Sequence, residues 1–459
     1  MRKIIICFWL LALISGWTAD AAVPPNRTEW FTDARFGLFI HFGLYSLPAG
    51  VWDGQVMGRN MYAEWIRMQH NWPQDPGLAQ KEYDTLLKRF NPVRFDAVEW
   101  VRAAKQAGMK YMLITAKHHD GFALWPSQVC SYNVVDATPF GRDILGELAK
   151  ACEQEGLVLG FYYSHWQDWE HPGGVRPPWP EYAHLPRFQQ PEESEFESYW
   201  RDKCLPQVRE LIVNYDPGFF WFDTWTDALY INEERLDELI NLVRSLSPDC
   251  LINSRIGTTW GHRKGDEIVD FLSMGDNSFP NRTIHRPWET SGTMNHSWGY
   301  HQLDFSWKPY EQMLKYLITN ASRGGNYQLN VGPKGDGSFP LPAVKRLQQI
   351  GAWLAVNGEA IYGTSSSTLP EQEWGQVTVS ERKNGLTRFY LHVFDWPKDG
   401  MLPLKGLRQL PETAYVLESG QQVSGLPDHD AIVFQLPQQP ADEGIYVIVA
   451  DMKYSVDKK

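Results

Sequence analysis

Between about residues 31 and 363 the chain alternates short apolar runs with amphipathic stretches at helical spacing. That alternation limits the fold more than any other feature. The runs are GLFIHFG at 37–43, YMLITAK at 111–117, LGFYYS at 159–164, FFWFD at 219–223, LINSR at 251–255, FLSM at 271–274 and YQLNV at 327–331. Unbroken runs of branched and aromatic residues are what strands buried on both faces require. Helical patterns lie between them at 95–108, 143–156, 232–247 and 310–323, with Gly108 and Gly156 where a helix C-terminus favours glycine. Repeated strand–helix units predict a parallel sheet. Seven strand candidates fit a (β/α)8-type barrel better than a doubly wound sheet. Neither G-x-G-x-x-G nor G-x-x-x-x-G-K-[ST] occurs, and GPKGDG at 332–337 reads as a turn after the last strand.

The texture changes near 365. VTVSER, TRFYLHVF, TAYVLES, AIVFQL and GIYVIVA alternate apolar and polar residues and are separated by Pro, Gly and Asp. That pattern predicts an antiparallel β-sandwich. At the other end, Arg2 and Lys3 precede an apolar run from Ile4 to Ile14, followed by Ala19-Asp20-Ala21. This reads as a secretory signal peptide. The expected organisation is a signal peptide over 1–21, a (β/α)8-like catalytic domain over 22–364 and a β-sandwich domain over 365–459. The mature chain is expected to be periplasmic or secreted and without a membrane span.

Composition excludes several partners. With 43 basic and 55 acidic residues the net charge is −12, which disfavours nucleic acid and anionic membranes. Cys130, Cys152, Cys204 and Cys250 are scattered, against a zinc ribbon or a disulfide-dense scaffold, while one or two disulfides fit an oxidising compartment. The chain has 21 tryptophans, more than core packing requires, because each indole N–H needs a partner when buried.

Barrel active sites form at the C-terminal ends of the strands. His41, Lys117-His118-His119-Asp120, Tyr162-Tyr163-Ser164, Asp223 and Arg255 all stand at such ends, and WET places Glu289 in a later loop. Adjacent histidines on a strand point to opposite faces, and no H-x-H, H-E-x-x-H or D-x-D-x-D-G occurs, so no metal site is expected. No G-x-S-x-G elbow marks a serine nucleophile. Asp223 and Glu289 instead suit the two-carboxylate chemistry of glycoside hydrolysis, with Trp221 and Trp288 as apolar walls that favour a protonated acid.

These motifs resemble the α-L-fucosidases of glycoside hydrolase family 29. The resemblance runs through WFTDARFGLFIHFGLYSLPAG at 30–50, MYAEW at 61–65, ITAKHHDGFALWPS at 114–127, GFYYS at 160–164, FFWFD at 219–223, WETSGTMNHSWGY at 288–300 and GGNYQLNVGPKGDG at 324–337. It implies an exo-acting retaining hydrolase of terminal α-L-fucose, acting on fucosylated glycans without metal or other cofactor, and leaves the oligomeric state open. By the same resemblance, Asp223 matches the nucleophile and Glu289 the acid/base. His41, His118, His119, Glu64, Trp65, Tyr162 (with Tyr163 as the fallback), Trp221 and Arg255 match sugar-contacting positions. Hydrolysis of a fucose-like sugar such as an α-L-galactoside, and sugar binding without catalysis, are the competing readings. The segments 71–83 and 165–182 are peculiar to this chain and follow strand ends, so they are expected to shape the leaving-sugar site. A retaining mechanism requires the two carboxyls roughly 5–5.5 Å apart.

Overall fold

The computed structural model describes residues 27–58, 61–69, 77–225, 228–257, 269–382, 385–438 and 444–453. The signal peptide expected over 1–21 lies outside the described residues, as do 71–76 of the segment 71–83. Among the described residues, no helix is long and apolar enough to cross a membrane.

Eight parallel strands form one sheet: β1 (Phe36–Ile40), β2 (Tyr111–Lys117), β3 (Val158–Tyr163), β4 (Phe219–Phe222), β5 (Leu251–Ile252), β6 (Leu272–Ser273), β7 (Trp288–Thr293) and β8 (Asn326–Val331). Their order is β5-β4-β3-β2-β1-β8-β7-β6. The end strands β5 and β6 meet through a single parallel bridge, Asn253 to Phe271, rather than a ladder. The expected barrel is therefore a curled sheet whose last seam is one residue pair wide. Sequence patterning located seven of these strands and missed β7, whose WETSGT has no apolar run.

Alternation along the strands explains why they look hydrophobic throughout. Phe39, Leu113, Tyr162, Trp221, Leu251 and Phe271 point to one side and share a core cluster. Leu38, Ile40, Met112, Ile114, Phe161 and Phe220 point the other way, into the larger cluster beneath the helices. The helices α1 (Ala97–Gln106), α2 (Ile144–Glu155), α3 (Leu205–Tyr215), α4 (Glu233–Leu246), α5 (Tyr310–Ser322) and α6 (Leu341–Asn357) cover that side. Side chains set their starts: Asp96, Asp143 and Asn232 accept from the backbone N–H groups of Glu99, Gly146 and Arg235. Gly156 ends α2 in the left-handed conformation at φ 76°, as its position predicts.

Beyond residue 364 all strand pairs are antiparallel. One sheet comprises β9 (Ser365–Ser366), β10 (Gly375–Glu381), β11 (Thr387–Val393), β13 (Thr413–Val416) and β16 (Tyr446–Met452); the other comprises β12 (Met401–Lys405), β14 (Ser424–Asp428) and β15 (Ala431–Gln435). Val377, Phe389 and Ile448 of the first meet Leu402, Leu404 and Phe434 of the second in one core, which makes the pair a sandwich. It docks on the parallel-sheet unit through Trp353 Nε1, which donates to the Ile445 carbonyl at 2.7 Å, and Thr378 Oγ1, which donates to the Ala360 carbonyl at 2.7 Å. The four cysteines Cys130, Cys152, Cys204 and Cys250 are free thiols, so no disulfide forms among them.

Candidate active site

A cavity of about 450 Å³ opens at the C-terminal ends of the parallel strands. His41, His118, His119, Tyr162, Asp223 and Arg255 line it, each at or just beyond the end of β1 to β5. Trp221 lines it from within β4. Glu64 and Trp65 reach the same cavity from a 3-10 turn, Ala63–Trp65, in the excursion after β1. Nine of the ten residues expected from sequence thus converge on one point.

Asp223 is the centre of this arrangement. Tyr162 Oη donates to its Oδ2 at 2.7 Å, Arg255 Nη2 lies 2.6 Å from its Oδ1, and His119 Nε2 stands 3.6 Å from Oδ2. Burial pushes the carboxyl pKa up, and the Arg255 guanidinium pulls against that shift. Arg255 also donates through Nη1 to Asp276 Oδ1 at 2.7 Å, and its guanidinium lies 4.7 Å from the Trp221 ring centre. Burial works against the Arg255 charge, but Asp223 and Asp276 outweigh it and hold its pKa above the ordinary value. One guanidinium therefore bridges two carboxylates on the cavity wall.

Burial holds the cavity histidines neutral. Burial lowers the His41 pKa to about 4 and depresses His118 and His119 well below the ordinary value. Asn330 Nδ2 donates to the Trp298 carbonyl at 2.7 Å, which aims its Oδ1 at His41 Nδ1, also 2.7 Å away. That pairing puts the His41 proton on Nδ1 and leaves Nε2 as an acceptor. Ser164 Oγ donates to the Gln167 carbonyl and accepts from His119 Nδ1 at 2.6 Å, which fixes His119 in the same way. His118 and His119 follow the end of β2 rather than lying on it, so both rings reach the cavity, 4.2 Å apart. The alternation expected for adjacent strand residues does not apply to them. Among the described residues no group of three His, Cys, Asp or Glu could hold a metal ion.

Glu64 accepts from the Gly299 N–H at 2.8 Å, and burial pushes its pKa up to about 8. Tyr162 is the relevant tyrosine of the pair. Tyr163 points to the helix side and donates to Gln207 Oε1 at 2.9 Å.

Glu289 is the exception. It is the second residue of β7, not part of a loop, and pairs in register with Asn326 at the start of β8. It is 0% exposed, and the indole N–H of Trp221 donates to its Oε1 at 2.9 Å. Trp221 lines the cavity and Glu289 does not, so the Trp221 indole stands between Glu289 and the cavity. The expected loop placement of Glu289 is therefore corrected: WETSGT is a polar strand, and Glu289 stands at its start rather than at its mouth. Trp288 is likewise buried away from the cavity and donates to the Arg323 carbonyl.

The cavity holds residues that sequence reasoning did not single out. Asp276 follows β6 by three positions and satisfies the strand-end rule that found Asp223. Trp225 and Trp298 line the cavity as the tryptophan excess foreshadowed, whereas Trp125 and Trp166 are core residues. Of the two segments expected to shape the leaving-sugar site, 165–182 contributes Trp179 to the wall. In the described part of 71–83, Tyr83 is buried and donates to Asp120 Oδ2 at 2.8 Å.

A family model described as Alpha-L-fucosidase matches residues 16–359. The chain is 30% identical to the alpha-L-fucosidase of Dictyostelium discoideum, over 88% of this chain and 87% of that protein. Among solved structures it is similar to alpha-L-fucosidase isoenzyme 1 from Paenibacillus thiaminolyticus, at 32% identity and a TM-score of 0.79, covering 92% of this chain and 98% of the other. It is also similar to an alpha-L-fucosidase from Bacteroides thetaiotaomicron trapped as a covalent intermediate with 2-fluoro-fucosyl fluoride in a glutamate-to-glutamine mutant. That match has 29% identity, a TM-score of 0.77, and covers 93% of this chain and 96% of the other. A buried carboxylate at a β-strand end, in a cavity lined by histidines and tryptophans, and a match across most of the chain lead to one conclusion: the chain belongs to the alpha-L-fucosidase family of glycoside hydrolases.

Proposed function

We propose that this enzyme is an exo-acting retaining α-L-fucosidase in which Asp223 is the nucleophile and Asp276 the general acid/base. The observation that carries the reading is the Asp223–Arg255–Asp276 bridge inside the cavity. Both carboxylates touch the same side chain, which suits the close spacing of a retaining pair, roughly 5–5.5 Å. Asp223 is the deeper of the two, while Asp276 is part-exposed at the mouth, where the leaving group departs and water enters.

In the first step an Asp223 oxygen forms a bond to the anomeric carbon, the glycosidic C–O bond breaks, and Asp276 gives its proton to the departing oxygen. In the second step Asp276 takes a proton from water, the water oxygen bonds the anomeric carbon, and the Asp223 ester bond breaks. Tyr162 and Arg255 orient and charge-balance Asp223 throughout. His41 and His119 face the sugar as neutral groups whose Nε2 lone pairs accept hydroxyl protons, and His118 faces it beside them as a neutral ring. Glu64 adds hydrogen-bonding capacity beside them, and Trp65 and Trp221 offer apolar faces to the ring. The covalent intermediate trapped in the Bacteroides relative supports the two-step course.

Release of 4-nitrophenol from 4-nitrophenyl α-L-fucoside, with the α-L-galactoside alongside, tests the activity. The first sugar released should be the α anomer by proton NMR. Asp223→Ala should lower kcat by about 10³-fold or more. Near-normal turnover by that variant overturns the assignment. We also propose export, on the strength of the basic and apolar pattern of residues 2–21. Recovery of the protein in the cytoplasmic fraction with Met1 still at its N-terminus contradicts it.

A further inference from the structure

The cavity is graded from a polar, fully buried end to an aromatic mouth. Asp223, His41, His118 and His119 are all buried, whereas Trp65, Trp225 and Trp179 are half-exposed. The rings step outward in contact. His119 lies 3.6 Å from Asp223, the Trp65 ring is 5.3 Å from the His119 ring, and the Trp179 ring is 5.6 Å from that of Trp65. Trp179 thus stands two ring contacts out from His119, toward the mouth of the cavity.

Trp179 is also held ready. It sits between Pro178 and Pro180, which fix φ on both sides, and Pro180 opens a 3-10 turn, Pro180–Tyr182. Its N–H donates to the Pro177 carbonyl at 2.8 Å. The Phe188 ring supports it at 5.6 Å and 35°, and Tyr182 meets it edge-on at 6.5 Å. Upstream, Arg176 donates through Nη1 to the carbonyls of Asp168 and Gly174, which closes the segment on itself. A large flat side chain fixed before binding loses little entropy when a ligand stacks on it.

We propose that Trp179 is the stacking platform of a leaving-group subsite that takes a second pyranose ring, and that it makes the enzyme prefer fucose linked to a sugar over fucose carrying a small leaving group. The inference rests on the fucosidase reading of the same cavity. A chair-form pyranose presents a face of polarised C–H groups, which matches the electron-rich face of an indole. Hydrolysis itself is unchanged; Trp179 touches only the leaving sugar and acts on specificity.

The test compares the wild type, Trp179→Ala and Trp179→Phe on a fucosyl-hexopyranose disaccharide and on α-L-fucosyl fluoride, whose leaving atom has no ring to reach Trp179. The expected result is a loss of about tenfold or more in kcat/KM on the disaccharide for Trp179→Ala, a change under about twofold on the fluoride, and substantial rescue on the disaccharide by Trp179→Phe; tenfold corresponds to about 1.4 kcal/mol. Equal losses on both substrates make Trp179 a structural residue and overturn the proposal. So does an undiminished rate on the disaccharide. A wild-type protein that hydrolyses neither substrate removes the fucosidase reading, and the subsite falls with it.

Discussion

Trp221 donates its indole N–H to Glu289 Oε1 at 2.9 Å while its ring lines the cavity above. The relationship separates two carboxylates that look equivalent in sequence. Asp223 faces the ligand space, and Glu289 stands behind the Trp221 indole. Burial pushes the Glu289 pKa up, against hydrogen bonds from Ser273, Trp221 and Ser291. Glu289→Gln keeps an acceptor for the indole, so its kcat on 4-nitrophenyl α-L-fucoside should stay within about tenfold of wild type. Glu289→Ala leaves a buried N–H unpaired and should cost about 1–3 kcal/mol of stability in denaturant titrations. A loss of several orders of magnitude in Glu289→Gln would return Glu289 to the chemistry.

Asp276 and Glu64 are the remaining cavity carboxylates, and leaving-group dependence separates them. Asp276→Asn should lower kcat/KM on an alkyl α-L-fucoside by about 10²–10⁴-fold, and far less on α-L-fucosyl fluoride, whose departure needs little protonation. Glu64→Gln should lower both rates by a similar factor, because Glu64 contacts the sugar. The reverse pattern assigns the acid/base role to Glu64.

Glu64 also makes stability depend on pH. Its ordinary value of 4.5 rises to about 8 on burial in the folded protein. Between those values the folded state binds a proton that the unfolded state has released, so stability falls as pH rises. The contribution is complete below about pH 4.5 and lost as pH passes through about 8. Tm measured across that window should decline less steeply for Glu64→Gln, which is neutral throughout. Parallel curves for the two proteins would contradict this.

Lys117 Nζ lies 2.8 Å from Asp168 Oδ2, and Lys203 Nζ lies 2.9 Å from the same oxygen, all three side chains being buried. Although burial disfavours the Asp168 charge, the two lysines outweigh it and hold its pKa below the usual carboxylate range. Asp168→Asn removes the shared partner of two buried cations and should destabilise the fold by about 3–5 kcal/mol, read from the denaturant midpoint. A midpoint within about 1 kcal/mol of wild type would show that solvent reaches the lysines. This cluster also fixes the start of the segment that carries Trp179, because the Trp169 N–H donates to the His119 carbonyl at 2.7 Å.

Sequence alone determined the parallel sheet, the sandwich, and nine of the residues at the cavity. Strand direction and the period-two alternation of side chains fix which positions reach the C-terminal mouth, which made His41, His118, His119, Tyr162, Asp223 and Arg255 legible, whereas Glu64 and Trp65, in a 3-10 turn after β1, came from the resemblance to the fucosidase family alone. Asp223 and Arg255 were legible because an apolar run points straight to them. Glu289 was misplaced because WETSGT is a polar strand, and without an apolar pattern its start and its end cannot be told apart. Asp276 lies three positions beyond β6, outside the FLSM run that marks the strand, so that run does not point to it directly. Tertiary structure decided what sequence spacing could not encode: which carboxylate shares Arg255 with Asp223, which tautomer Asn330 and Ser164 impose on the histidines, and where a Pro-flanked tryptophan in a long excursion comes to rest. Each depends on contacts between residues tens to hundreds of positions apart, and only the closed packing of the sheet brings those partners within hydrogen-bonding distance.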